Sequence, residues 1–165
     1  MKTLRFLPFL ALAAAAPAAA QDKPASAAEI VDAIDACKAI TSPTWLELDD
    51  LSKHGWKPYR KPAGRRAQVV RGAYEKQGNE ALIIISKAEL REKACVVFAR
   101  LDSTADYGPT AQSVSQFVGM PTHADGPTYF WSLGDGMNMR IDPTGDKDKP
   151  IARFEITATA QESAE

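Results

Sequence analysis

Cysteine and histidine are scarce in this chain of 165 residues, which contains two of each. The histidines, His54 and His123, lie far apart and form no HxxxH pair, so a zinc site has little support. No GxSxG motif is present, which removes the usual signature of a serine hydrolase. After the first twenty residues, no apolar run approaches the ~20 residues that cross a bilayer. Metalloenzymes, serine hydrolases and membrane-spanning proteins are therefore disfavoured.

Residues 1–20 have the composition of a secretory signal peptide. Lys2 and Arg5 form a short basic region, and Phe6–Ala16 is apolar. Ala18–Ala20 then supplies the small residues that a signal peptidase needs before Gln21. We therefore expect an exported protein that is periplasmic or secreted.

Removal of this segment leaves 145 of the 165 residues, enough for one compact domain. We expect residues 21–25 to be a linker, 26–159 a single α+β domain, and 160–165 a frayed tail. Loss of Lys2 and Arg5 changes the net charge from −1 to −3. A mildly acidic domain argues against general binding of nucleic acid.

The two cysteines, Cys37 and Cys95, are predicted to form a disulfide. They are 58 positions apart, whereas redox pairs usually have CxxC spacing. Ser26 and Glu29 have the spacing of a capping box, and the helix that follows carries Cys37 on its apolar stripe. Cys95 begins an apolar strand, so a helix packed on the sheet could bring the two sulfurs together.

The central strands are predicted to be Ala81–Ile85 and Cys95–Leu101, a hairpin closed by a loop at Lys87–Lys93. Alternating apolar residues predict further strands, and apolar stripes with capping signals predict further helices. The fold class is thus α+β, with helices packed on an antiparallel sheet. The further elements are strands at Gln68–Tyr74, Thr128–Leu133, Met137–Asp142 and Ile151–Thr159, and helices at Ser42–Gly55 and Thr110–Val118. The first of these helices is predicted to end at Gly55 and Trp56 in a Schellman arrangement, and the second to point Phe117 inward. Residues 123–127 and the charged segment 142–150 are predicted to be loops.

A helix followed by three strands occurs twice, at 43–101 and 110–159. Each helix ends in a glycine, a large apolar residue and then a proline, as in Gly119–Pro121. This layout resembles the tandem helix-plus-antiparallel-sheet arrangement of the β-lactamase inhibitor protein family and of small envelope assembly proteins. The resemblance implies two degenerate halves.

Acidic residues are absent from Leu51 to Tyr74, whereas seven basic residues fall there. Two prolines and a glycine predict a projecting loop at Lys57–Arg66. One interpretation is a solvated loop whose charges aid solubility. The other is a binding site for an acidic protein surface, lipopolysaccharide or lipid phosphates, or a cell-wall polymer. The predicted binding residues are Lys57, Tyr59, Arg60, Lys61, Arg65 and Arg66.

The leading hypothesis is a non-enzymatic binding or accessory module of the cell envelope that uses this basic segment and no cofactor. The alternative is a small envelope hydrolase or transferase that uses His123 with Asp125 or Asp135. A third possibility is a structural accessory domain without a ligand. Acidic residues at 142–148 hint at calcium, but their spacing is not that of an EF-hand, so no metal site is predicted.

Overall fold

The computed structural model describes residues 23–63 and 66–159, and only the backbone of Pro62 and Arg66. The predicted signal peptide, the first two linker residues, Arg65 and the predicted tail lie outside the described residues. The described part of the chain forms one eight-stranded antiparallel sheet with helices, so the predicted α+β fold class is confirmed.

Three α-helices and two 3-10 helices accompany the eight strands in the described ranges. The helices are α1 (Ala27–Ile40), α2 (Lys87–Glu92) and α3 (Tyr107–Val118), with 3-10 helices at Leu48–His54 and Thr104–Asp106. The strands are β1 (Lys57–Ala63), β2 (Arg66–Lys76), β3 (Asn79–Ile84), β4 (Cys95–Arg100), β5 (His123–Asp125), β6 (Thr128–Gly134), β7 (Met137–Gly145) and β8 (Pro150–Ala158).

The sheet has two halves that meet at its centre. The strand order is β1-β2-β3-β4-β8-β7-β6-β5, so each half runs as four consecutive strands and the last strands of the halves pair. The predicted halves had three strands each, because β1 and β5 were interpreted as loops. Both missed strands lie at the edges of the sheet, where one partner strand suffices and proline is tolerated.

Helix α1 packs on one face of the central strands and begins as predicted. The Ser26 amide donates to Glu29 Oε2 at 2.7 Å, and the Glu29 amide donates to Ser26 Oγ at 3.3 Å. Burial alone would raise the Glu29 pKa, but hydrogen bonds from Ser26 and the Glu80 amide outweigh it and lower the pKa. The disulfide between Cys37 and Cys95 is confirmed, with a Cα–Cα distance of 5.4 Å.

The predicted central pairing is also confirmed, since Ile83 faces Val97 in antiparallel register. The prediction of a loop at Lys87–Lys93 is wrong, because residues 87–92 form helix α2. Its N-cap, Ser86, forms a capping box with Glu89. The charged segment between the two apolar strands is thus a short helix with a capping box at its N-terminus.

The helix predicted to begin at Ser42 begins later in the structure, so its predicted start is wrong. Its predicted end at Gly55 is correct. Ser42 Oγ accepts from the Trp45 amide at 3.0 Å and closes a tight turn, which leaves the Trp45 side chain 57% exposed. The 3-10 helix begins later and ends at Gly55, which is left-handed with φ 83°. The Trp56 amide then donates to the Leu51 carbonyl at 3.0 Å, the predicted Schellman arrangement.

Helix α3 begins at Tyr107, three residues before the predicted start, and it is anchored by that side chain. The Tyr107 hydroxyl lies 2.8 Å from the Pro127 carbonyl and 2.9 Å from the Ile141 carbonyl. Burial, with the nearby Asp142 carboxylate and Tyr129, raises the Tyr107 pKa. Phe117 was expected to point inward, but it is 60% exposed, so that assignment is wrong.

Gly72 is a position in β2 where an added side chain would clash with the chain at the end of the neighbouring strand β3. Its φ is +76°, and an added Cβ would lie 2.4 Å from the Ile85 carbonyl oxygen. We expect Gly72→Ala to lower the free energy of unfolding by about 2–4 kcal/mol, from the left-handed backbone and the clash together. Urea unfolding followed by circular dichroism measures this loss.

Gly78 provides a matched control, because its φ is +77° and an added Cβ meets nothing within 4 Å. Gly78→Ala should therefore lose only the backbone contribution, about 1–2 kcal/mol. Equal losses for the two variants would show that the approach of Ile85 to Gly72 imposes no steric constraint.

Candidate binding sites on the sheet

The predicted basic segment lies in a β-hairpin at one end of the sheet and is not a loop. We call residues 57–63 of β1 and 66–71 of β2 the basic arm. Arg60 faces Val69 and Lys61 faces Gln68 across this hairpin. Pro58 is accommodated because β1 is an edge strand, whose amides have only one partner strand.

The basic arm extends past the end of β3. The first residue of β2 that pairs with that strand is Ala73, opposite Ile84, and the Ile85 amide donates to the Gly72 carbonyl at 2.7 Å. In the described structure, residues 66–71 therefore have β1 as their only partner strand. Val69 and Val70 are 48% and 37% exposed. The arm thus presents apolar as well as cationic side chains to solvent.

Four cationic side chains of the arm are exposed and have no ion-pair partner among the described residues. Cations elsewhere are often paired, as Lys76 is with Asp32 at 2.6 Å. Three of the four are predicted binding residues, and Arg71 is not. Of the remaining predicted residues, Tyr59 is half-buried, and Arg65 and the Arg66 side chain lie outside the described structure. The four exposed cations are Lys57, Arg60, Lys61 and Arg71.

His123 lies at the opposite edge, in β5, and not in a loop as predicted. Its ring stacks on Phe130 with centroids 4.3 Å apart and an angle of 4°. Asp125 faces Thr128 on the neighbouring strand, and Asp135 lies at the far end of that strand. Asp135 lies five residues beyond Phe130, which faces His123 across the strand pair. Asp135 is therefore roughly 15 Å from His123 along the strand direction. Within the described ranges, neither carboxylate forms a hydrogen bond or an ion pair with His123, whose ring nitrogen Nδ1 lies 3.3 Å from the Thr122 hydroxyl.

A network of charged side chains covers the face of the sheet that points away from α1, which we call the outer face. Glu155 accepts from Arg153 at 2.6 Å and from Arg140 at 3.3 Å. Arg140 Nε also lies 3.1 Å from Asp142, and Arg153 lies 3.8 Å from Glu89. The alternating polar residues of β7 predicted that one face of this strand is exposed. The ion pairs could not be predicted, because they depend on how neighbouring strands are aligned, and the residue pattern of one strand does not give that alignment.

Glu89 joins this network from α2. Burial by itself would raise its pKa, but hydrogen bonds from Ser86 and the positive charge of Arg153 outweigh burial and lower it. The Ser86 hydroxyl donates directly to the Glu89 carboxylate. Glu89 therefore remains ionised at neutral pH and adds a third carboxylate to those of Asp142 and Glu155.

An open depression of about 250 Å³ lies on the outer face beside this network. We call it the outer depression. Strands β5 to β8 all contribute to it, and His123 and Phe130 form one side. Sequence reasoning selected His123 but missed the rest, because its lining comes from four strands and a residue pattern in one strand does not reveal such a surface. The other polar lining includes Ser132, Asn138, Arg140, Glu155 and Thr157.

The acidic residues at 142–148 are held apart by other contacts. Asp142 belongs to the outer-face network, and β7 continues to Gly145, so the predicted charged loop is shorter than expected. Asp146 Oδ1 accepts from the Asp148 and Lys149 amides at 2.9 and 2.8 Å. No group of three potential metal ligands occurs in the described residues.

No known protein family, curated protein or solved structure matches this chain. The resemblance to the β-lactamase inhibitor proteins therefore depends on the order of helices and strands alone. None of the helices in the described ranges is both long enough and apolar enough to span a membrane.

Proposed function

We propose that this protein is an exported, non-enzymatic binding module of the cell envelope whose basic arm contacts an anionic partner. The observation that carries the proposal is the exposed set of four cations without ion-pair partners among the described residues. Exposed charges contribute little to folding, so their concentration on a hairpin is better explained by attraction of a ligand.

Export is supported by two observations. Residues 1–20 have the composition of a signal peptide, and a disulfide joins Cys37 to Cys95. Disulfides form and persist mainly in oxidising compartments, such as the periplasm or the extracellular space. Both observations agree with an envelope location for the binding module.

We propose that the partner contacts the side chains of the arm and does not add a strand to β1. That strand contains Pro58 and Pro62 and is flanked by cations. Proline lacks the amide that a partner strand needs, and lysines on an edge strand oppose such pairing. Side-chain contacts at the surface of the arm also make direct use of its exposed cations.

Among anionic partners we favour a lipid surface that carries phosphate groups over an acidic protein surface. Arg60 suits phosphate oxygens, while the exposed Val69, which faces it across the hairpin, suits the acyl region just beneath. Lipopolysaccharide and anionic phospholipid share this chemistry. An acidic protein surface would use the cations equally well but would have less need of the exposed valine.

Replacement of Lys57, Arg60, Lys61 and Arg71 by threonine should abolish most vesicle binding with little change in melting temperature. Each cation near an anionic membrane contributes about 1 kcal/mol, so affinity should fall by a factor on the order of 100–1,000. Threonine suits a strand, which keeps the hairpin intact. Co-sedimentation with anionic and zwitterionic vesicles, at low and high salt, measures the effect, because salt screens such contacts.

The control replaces Lys23, Lys87, Lys147 and Lys149 by threonine, which removes the same charge from exposed positions outside the arm. It should bind nearly as the natural protein does. Equal binding of the two variants would exclude the arm as the site, whereas loss of stability in the arm variant would show that its charges are structural. Salt-sensitive binding to an acidic polypeptide but not to vesicles would make an acidic protein surface the partner.

A further inference from the structure

The outer depression is a second candidate ligand site, in the other half of the sheet from the basic arm. Phe130 faces Arg140, which faces Glu155, and His123 extends this row to the edge. These side chains point outward, because the residues that alternate with them, such as Trp131, are buried. Aromatic rings therefore stand at one end of the row and charged groups at the other.

A second row runs parallel to the first and is neutral. Ser132 faces Asn138, and Asn138 faces Thr157. Residues two apart on one strand point to the same face and lie roughly 7 Å apart, so the two rows are adjacent. In the described structure, neither the Ser132 nor the Thr157 hydroxyl has a hydrogen-bond partner. These groups are available to a ligand.

The charges beside the depression are balanced within the protein, which makes an anionic ligand unfavourable. Arg140 is engaged by Asp142 at 3.1 Å and by Glu155 at 3.3 Å. Arg153 is likewise paired with Glu155 at 2.6 Å. An anionic ligand would have to compete with these carboxylates for the two arginines, and a cation would have to compete with the arginines for the carboxylates. A neutral, hydrogen-bonding ligand meets neither obstacle.

The size and chemistry of the depression narrow the ligand class further. Its volume of about 250 Å³ is below the ~300–1,000 Å³ of sites for drug-sized ligands, so it suits a single small ring. His123 is stacked on one face of the Phe130 ring, which leaves the other face of Phe130 as an aromatic wall. A pyranose has an apolar C–H face that packs on such a wall, and hydroxyl edges that pair with amides and hydroxyls.

From this arrangement we infer that the outer depression binds one neutral sugar ring, either as a free monosaccharide or as one unit of a glycan. Phe130 contacts the apolar face of the sugar ring, and His123, stacked on the other side of Phe130, supports it. Ser132, Asn138 and Thr157 hydrogen-bond its hydroxyl groups. This site does not depend on the basic arm, so either site could exist without the other.

Titration with N-acetylglucosamine and with its β-1,4-linked tetramer, followed by ¹H–¹⁵N NMR at high salt, tests the inference. We expect shifts of the Asn138 side-chain amide and of backbone amides in β5 to β8, with the arm unaffected. Binding of both sugars with equal affinity indicates a site for the free monosaccharide. Tighter binding of the tetramer indicates a glycan. No shift in the depression at up to about 100 mM monosaccharide and about 10 mM tetramer would overturn the inference.

The double variant Ser132→Ala with Thr157→Val removes both hydroxyls with little change in shape and should weaken binding at least about tenfold. Thr144→Val is the matched control, since Thr144 is exposed on the same face, opposite Ile151 and outside the depression. Should the double variant fail to fold, Ser132→Ala alone should still weaken binding severalfold. Equal affinities of the variants and the control, or preference for a sugar phosphate, would overturn the inference.

Discussion

Trp131→Ala is expected to lower the free energy of unfolding by about 3–5 kcal/mol, because it removes a large side chain from a packed core. Trp131 is 2% exposed, and its ring lies 6.2 Å from that of Tyr129. Its indole nitrogen donates to the Gly119 carbonyl at 2.9 Å, which ties β6 to the end of α3. Guanidinium unfolding followed by circular dichroism measures the loss.

Trp45→Ala is the matched control for this experiment. Trp45 is 57% exposed, and the turn that contains it is closed by Ser42 Oγ, which accepts from the Trp45 backbone amide and does not involve the indole ring. Its replacement should change stability by no more than about 0.5 kcal/mol, as is usual for surface positions. If Trp131→Ala unfolds at the same denaturant concentration as Trp45→Ala, the core assignment of Trp131 is wrong.

Removal of the disulfide should have an effect of similar size. The bond closes a loop with a sequence separation of 58. In the chain-entropy model, closing a loop of this length raises the free energy of unfolding by about 4 kcal/mol. Cys37→Ala with Cys95→Ala should therefore show a large drop in the denaturant midpoint under non-reducing conditions. Both positions are fully buried, so a small cavity adds to the loss.

Mass spectrometry of the folded protein provides an independent check of the bond. The natural protein should be lighter than its dithiol form by two hydrogens, and it should resist alkylation until it is unfolded and reduced. Two thiols that alkylate readily in the folded protein would contradict the disulfide. A double alanine variant as stable as the natural protein would show instead that the bond forms but does not constrain the unfolded chain.

The features that sequence reasoning predicted correctly depend on residues close together in the chain. The capping box needs only Ser26 and Glu29, and the end of the 3-10 helix needs only Gly55 and its neighbours. The disulfide is a long-range contact, yet it was predictable because Cys37 and Cys95 each lay on an apolar face and no other pairing was possible.

The features that sequence reasoning missed depend on which strands and helices lie next to each other in the fold. β1 looked like a loop because of Pro58 and Pro62, but an edge strand uses the amides on only one of its sides. β5 has three residues, all exposed, so no alternation marks it. Phe117 has the spacing of a core residue in α3, but the helix packs on the sheet through Val114 and leaves Phe117 in solvent.

The candidate sites show the same division between features set by local sequence and features set by the arrangement of the strands. By itself the sequence determined that seven basic residues lie between Leu51 and Tyr74 without an acidic one, because charge is counted along the chain. It also placed alternating polar residues on β7. Only the tertiary structure decided that the basic segment is a hairpin beyond β3 and that His123, Asn138 and Thr157 share one depression. Strand order and register determine which residues become neighbours, and they follow from packing of the whole sheet on its helices.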